Sequence, residues 1–223
     1  MLYLTWLGVA FGLRSITQRR RTGDAGWRSL GGRPGSIQWW TPVIVGIGAV
    51  AAGLAAPIAD LIGLSPIGAL DRPWLRTIGL ALAALATAAS IAAQHAMGTA
   101  WRIGVDETEH TTLVTNGAFR VVRNPFFSAV IGFATGLALA VPNIIALAGL
   151  ATVIIGVQLQ VRSVEEPHLL RVHEDNYRCY TSHVGRFLPY LGRTSRSRCG
   201  SGVPCPESCR QDRAKHPRSP QTC

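Results

Sequence analysis

FFSAVIGFATGLALAVPNIIALAGLATVIIGVQLQV, residues 126–161, contains no Asp, Glu, Lys or Arg. An apolar run of that length belongs in a bilayer, whose hydrocarbon core of about 30 Å takes roughly 20 helical residues to cross. In lipid the backbone must satisfy its own hydrogen bonds, so each part of the run is expected to be helical. Pro142 and Asn143 divide it into 126–141 and 144–161 and leave no length for a loop, which predicts a tight helical hairpin.

Working outward, residues 74–97 and 41–64 are further apolar runs, and 1–13 is a shorter one that reaches a bilayer's width only by continuing to Ile16. The N-terminal run carries its first charge, Arg14, after the apolar stretch and lacks a small-residue cleavage site, so it reads as a first membrane helix rather than a signal peptide. The expected architecture is an all-α integral membrane bundle of about five transmembrane helices. Composition agrees: of 223 residues, 48% are hydrophobic and only 15% charged, too few charges for an ordinary soluble domain. Gly46, Gly48, Ala52 and the Ala-rich stretch 81–93 supply small residues that let membrane helices approach closely, and Pro57 is expected to kink the second span.

The formal net charge is +10, almost wholly from Arg, with Lys215 the single lysine. Arg14, Arg19, Arg20, Arg21, Arg28 and Arg33 crowd the first loop, which the positive-inside rule places in the cytosol. Alternation then puts the loop around Asp71 and the Pro142 turn outside, and 98–125 and everything after Val161 inside. This charge suits anionic lipid headgroups; a nucleic-acid partner is not expected, because the apolar spans leave no soluble face for one. The Arg-rich, Lys-poor composition suits a GC-rich bacterial genome and hence an inner membrane.

Residues 165–184 form an amphipathic pattern, with Leu169, Val172, His173, Tyr177, Tyr180 and Val184 at three- and four-residue steps. This predicts a cytosolic C-terminal helix that Gly185 ends and Pro189 cannot continue. We expect residues 1–191 to be one membrane domain. Residues 192–223 are Arg, Ser, Pro and Cys without periodicity, a composition expected to stay disordered. No metal site is expected: His168, His173 and His183 do not share a helix face, and Cys205 and Cys209 lack a second pair. No GxGxxG follows a strand, which excludes a Rossmann cofactor domain.

Chemistry concentrates in two segments that the topology puts on one side: DETEHTTLVTNGAFRVVRNPFF, residues 106–127, and RSVEE, residues 162–166. Ionisable groups beside apolar spans are expensive and mark functional sites. Arg123, Asn124 and Pro125 directly precede a span, where a helix N-terminus can hold an anion, although Arg120 and Arg123 also suit simple headgroup contact. Arg162, Glu165 and Glu166 lie within about one turn, so an Arg162–Glu166 pair is available and adjacent carboxylates can hold a cation.

These two segments resemble the isoprenylcysteine carboxyl methyltransferase family and, more distantly, the phospholipid N-methyltransferases. The likeness spans residues 94–189, through Thr111, Thr112, Leu113, Val114, Gly117 and Phe119, then Arg123, Asn124, Pro125, Phe126 and Phe127, then Arg162 ahead of the Glu165–Glu166 pair. Asn124 stands where the family has His, Phe119 and Phe127 where it has Tyr, and Thr111 where it has a His that only His110 can replace. The resemblance implies an S-adenosylmethionine-dependent methyltransferase whose cofactor is bound by Thr111, Thr112, Leu113, Val114, Gly117, Phe119, Arg123, Asn124, Pro125, Phe126, Phe127, Glu165 and Glu166. Arg162 would meet the polar end of an isoprenoid or lipid acceptor, with Asn124 beside it, and the stretch LLRVHEDNYRCYTSHVGRFLP would close over the site. An amine or thiol acceptor would need a base, for which His110 is the nearby candidate. The competing readings are a sterol-reductase-like enzyme using NADPH and a non-catalytic protein of the same fold.

Overall fold

The computed structural model describes residues 2–8, 12, 15–16, 19–20, 33–97 and 113–194. Its helices are α1 (Leu2–Leu7), α2 (Ile37–Leu61), α3 (Pro73–Met97), α4 (Pro125–Ala140), α5 (Ile144–Gln160) and α6 (Glu166–His183). Among the described residues there is no strand, only an isolated parallel bridge between Val122 and Gly185. Helices α2, α3 and the continuous helical stretch Ile144–His183 are long and apolar enough to cross a membrane, and we take its first part, α5, as the span. Helix α4 is apolar but has 16 residues, or about 24 Å at 1.5 Å per residue. Its ends are fixed by the Pro142–Asn143 turn and by the pairing of Arg123 described below, so it meets a full bilayer only by local thinning. The expected first span, 1–13, falls within the described residues only at its start.

Two antiparallel helix pairs, α2 with α5 and α3 with α4, make the bundle. Lipid tails are as apolar as leucine, so helices associate through close packing rather than hydrophobic force. Both pairs use small residues for it. A Cβ on Gly136 would sit 2.6 Å from the Gly79 carbonyl oxygen, and one on Gly149 would sit 2.7 Å from the Ala52 nitrogen. Glycine is required at these crossings for backbone approach. Helix α1 packs against both pairs: Trp6 stacks on Phe133 at 4.7 Å, and Tyr3 lies over Gly53. Outward-facing Ile47, Val50, Ile78, Leu80, Leu85 and Ile155 form the exposed apolar belt. Trp40 and Trp74, at the starts of α2 and α3, mark the two ends of the bundle, as aromatic residues do at membrane interfaces.

Pro57 does not break α2. The turn before it, Ala51–Ala55, widens to a π-helical turn while the flanking residues stay in the right-handed helical region. The same pattern recurs between α5 and α6, where the π turn Val161–Glu165 precedes Pro167. A proline has no N–H for the carbonyl four residues back, and each helix absorbs the missing bond by local widening. Helix α6 ends before Gly185 as the sequence predicts, but it also kinks at Glu174 (φ 39°, ψ −115°).

One end of the bundle is closed by two short connections, in which the Ile67 amide donates to the Pro142 carbonyl at 2.7 Å. At the other end lie the start of α2, the C-terminus of α3, the start of α4 and the α5–α6 junction, and there the Thr41 hydroxyl donates to Gln160. All the described candidate residues sit at this second end.

Candidate functional site

The segment 185–192 folds back across the N-terminus of α4. Beside the Val122–Gly185 bridge, the Arg123 amide donates to the Gly185 carbonyl at 2.8 Å and the Asn124 amide to the Arg186 carbonyl at 3.1 Å. The Asn124 side-chain Nδ2 donates to that same carbonyl at 3.3 Å, and Ser128 Oγ donates to the Phe187 carbonyl at 2.7 Å. The returning chain is thus stitched to the segment that opens α4.

Under this strap lies Arg123, whose side chain is 1% exposed. Its Nη2 donates to the Gly192 carbonyl at 2.8 Å and lies 3.3 Å from Glu166 Oε1. Arg186 clamps the same carboxylate from the other side, with Nε 2.8 Å from Oε1 and Nη2 2.9 Å from Oε2. Two guanidinium groups therefore share one carboxylate, which leaves the cluster cationic. Among the described residues, Arg123 Nε and Nη1 are buried with no hydrogen-bond partner. Burial lowers the Arg123 pKa, and the Glu166 charge opposes that shift. Tyr177, buried next to this cluster, has its hydroxyl pKa raised, chiefly by burial. A buried donor without an acceptor costs about 1 to 3 kcal/mol, and more when charged. The arrangement is therefore suited to receive an anion.

Asn124 and Glu166, distant in sequence, meet at Arg186: one binds its carbonyl, the other its guanidinium. Pro125 is buried in the first turn of α4, and Phe126 and Phe127 pack against the main core with ring centroids 5.8 Å apart. Gly117 has φ +56°, a conformation open to glycine, and starts the 3-10 turn Gly117–Arg120. Within that turn the Phe119 carbonyl accepts the Tyr180 hydroxyl at 2.6 Å, tying it to α6. Leu113 and Val114 are half-buried where this segment begins. Thr111, Thr112 and His110 lie outside the described residues.

The anticipated Arg162–Glu166 pair gives way to other partners. Arg162 is exposed and its Nε donates to Gln158 Oε1 at 3.0 Å, while Glu166 is engaged by Arg123 and Arg186. Glu165 accepts from Gln160 Nε2 at 3.4 Å, and Gln160 in turn accepts from Thr41. Burial, opposed by that bond and reinforced by the Glu166 charge, pushes the Glu165 carboxyl up to about 7.

Sequence reasoning passed over Arg186, Thr41 and Gln160. Arg186 was visible as the cation between Gly185 and Pro189, immediately after the C-terminal helix. No local pattern marks Thr41 and Gln160, polar residues near helix ends that gain meaning only when α2 and α5 pair.

An all-helical membrane bundle with a strapped, cationic site at one end is the class that fold and geometry define. The Phospholipid methyltransferase family model matches residues 74–176, from the start of α3 into α6. Over those residues the chain is similar to the phospholipid methyltransferases, a family of membrane methyltransferases that includes the isoprenylcysteine carboxyl methyltransferase-like enzymes. No curated protein matches the chain.

Proposed function

We propose that this chain is an S-adenosylmethionine-dependent methyltransferase acting on a membrane-embedded isoprenoid or lipid acceptor, with its site facing the cytosol. The observation that carries the reading is Arg123: a buried guanidinium, two of whose nitrogens have no acceptor among the described residues, inside the family-matched segment. The cofactor's carboxylate would supply both the acceptors and the missing negative charge, so the residues present fit it. Asn124, Pro125, Phe126 and Phe127 would line it from α4, with Thr111, Thr112, Leu113, Val114, Gly117 and Phe119 from the preceding segment. Glu166 acts by holding Arg123 and Arg186 in place. The bound cofactor supplies an electrophilic methyl group. The protein's task is then alignment, which alone can lower a barrier by roughly 7 to 11 kcal/mol. Arg162, exposed at the membrane boundary, is available to the acceptor's polar end. A carboxylate acceptor needs no base at neutral pH; for an amine or thiol, His110 and Glu165 are the candidates.

Calorimetry of the full chain in nanodiscs with S-adenosylmethionine, S-adenosylhomocysteine and NADPH tests this, together with transfer of labelled methyl groups into extracted lipids. The first two ligands are expected to bind, Glu166→Ala to abolish binding, and Glu207→Ala to leave it unchanged. Equal affinity in the two variants overturns the site, and binding of NADPH alone would make the protein a reductase.

A further inference from the structure

The strap that closes over Arg123 carries an unusual outer surface. Its tip presents Leu188, Tyr190 and Leu191 at 58%, 69% and 62% exposure, beside Val121 at 56%. Phe187, the neighbouring apolar residue, instead turns inward onto the core. The tip has no freedom to hide itself in the same way. Besides the bonds of Gly185, Arg186 and Phe187 to Arg123, Asn124 and Ser128, the Arg186 amide donates to the Leu191 carbonyl at 2.8 Å and Arg123 Nη2 holds the Gly192 carbonyl. Tyr190 sits at φ 69°, a left-handed conformation that is strained for a non-glycine residue. Among the described residues, this aromatic ring receives only the Arg193 guanidinium, 4.5 Å from its centroid.

We propose that Leu188, Tyr190 and Leu191 form a membrane-inserting tip, seated in the headgroup and upper acyl layer of the bilayer that the bundle crosses, with Arg193 meeting anionic headgroups. Three observations favour lipid over a protein partner. The tip lies at the same end of the bundle as Trp40, an exposed interfacial aromatic at the start of α2. It combines an aliphatic pair with a Tyr and an adjacent cation, the composition that partitions to a membrane interface. Its charge is complementary to an anionic leaflet, which attracts basic residues near its surface. The consequence is that the segment holding Arg123, Asn124 and Ser128 is anchored to the acceptor's own phase. The inference rests on the membrane reading of the bundle and stands whether or not the site binds S-adenosylmethionine.

Photocrosslinking of the full chain in nanodiscs tests it. A benzophenone amino acid replacing Tyr190 keeps an aromatic ring at an exposed position, and one replacing Trp74 provides a reference at the lipid belt. Phospholipid adducts, read by mass spectrometry, are expected at position 190 in yields comparable to position 74. Adding phosphatidylglycerol to phosphatidylcholine should raise the yield at 190, and Arg193→Glu should remove that rise while leaving the yield in phosphatidylcholine alone unchanged. A yield at 190 about tenfold below that at 74 overturns the proposal. So does a predominant crosslink to a second protein chain. Indifference to both phosphatidylglycerol and Arg193→Glu overturns the assignment of Arg193. Because the readout is adduct mass, it is independent of methyl transfer and of cofactor affinity.

Discussion

The two ends of the bundle treat buried polar groups in opposite ways. At the closed end Asn143 is fully buried, its Nδ2 donating to the Ala56 carbonyl at 2.9 Å and its Oδ1 accepting the Ala146 amide at 3.0 Å. One side chain thereby caps α5 and ties it to α2 beside the π turn. At the open end the Arg123 side chain is also deeply buried, yet keeps two nitrogens unpartnered among the described residues and shares one carboxylate with Arg186. A satisfied buried polar group specifies a fold, whereas an unsatisfied one leaves a demand for something the fold does not contain. On the proposed reading, the closed end serves stability and the open end serves a ligand.

The sharpest way to break this comparison is Asn143→Ala. It removes the cap, leaves the Ala146 amide without its partner in an apolar setting and cuts the tie to the Ala56 carbonyl, at an expected cost of about 2 kcal/mol. Denaturant titration in detergent should show that loss, while the affinity of the folded fraction for S-adenosylmethionine stays at the wild-type value. A large change in affinity would show that the two ends are not separable.

Next in size is Arg123→Met, which keeps the length of the side chain and removes its donors and charge. Stability is expected to move by no more than about 1 kcal/mol, because losing the bonds to Gly192 and Glu166 is offset by removing an uncompensated buried cation. Affinity for S-adenosylmethionine should fall at least about tenfold, or roughly 1.4 kcal/mol. A variant that loses several kcal/mol of stability and binds normally would make Arg123 a structural residue and reverse its contrast with Asn143.

Much of this contrast was legible in the sequence. The 126–161 stretch announced its hairpin through uninterrupted apolarity and a Pro–Asn break, and Gly185 announced the end of α6. Arg123, Asn124 and Glu166 stood out as polar chemistry at span boundaries. What stayed hidden was pairing. Arg162 is the nearest cation to Glu166 in sequence, but the π turn before Pro167 alters the helix register there, and Glu166 binds Arg123 and Arg186. Pro57 reads as a kink in isolation, whereas α2 absorbs it by widening. The strap itself follows from hydrogen bonds between 122–128 and 185–192, which no periodicity encodes.

The last test is whether the open end's strain extends beyond Arg123 to the junction of α5 and α6. Glu165 has its folded pKa raised from an ordinary 4.5 to about 7, chiefly by burial. The folded state then holds a proton that the unfolded chain gives up, so stability falls as pH rises from about 4.5 to about 7 and levels off above. Glu165→Gln keeps the shape, removes the ionisation and should flatten that slope, with wild type and variant closest at the acid end of the window. Gln160 and Thr41 remain to hold the neutral amide, so the fold is expected to persist. Melting temperatures across this range decide the matter: parallel curves for the two proteins would mean that Glu165 ionises freely, and would confine the unsatisfied chemistry to the arginine cluster.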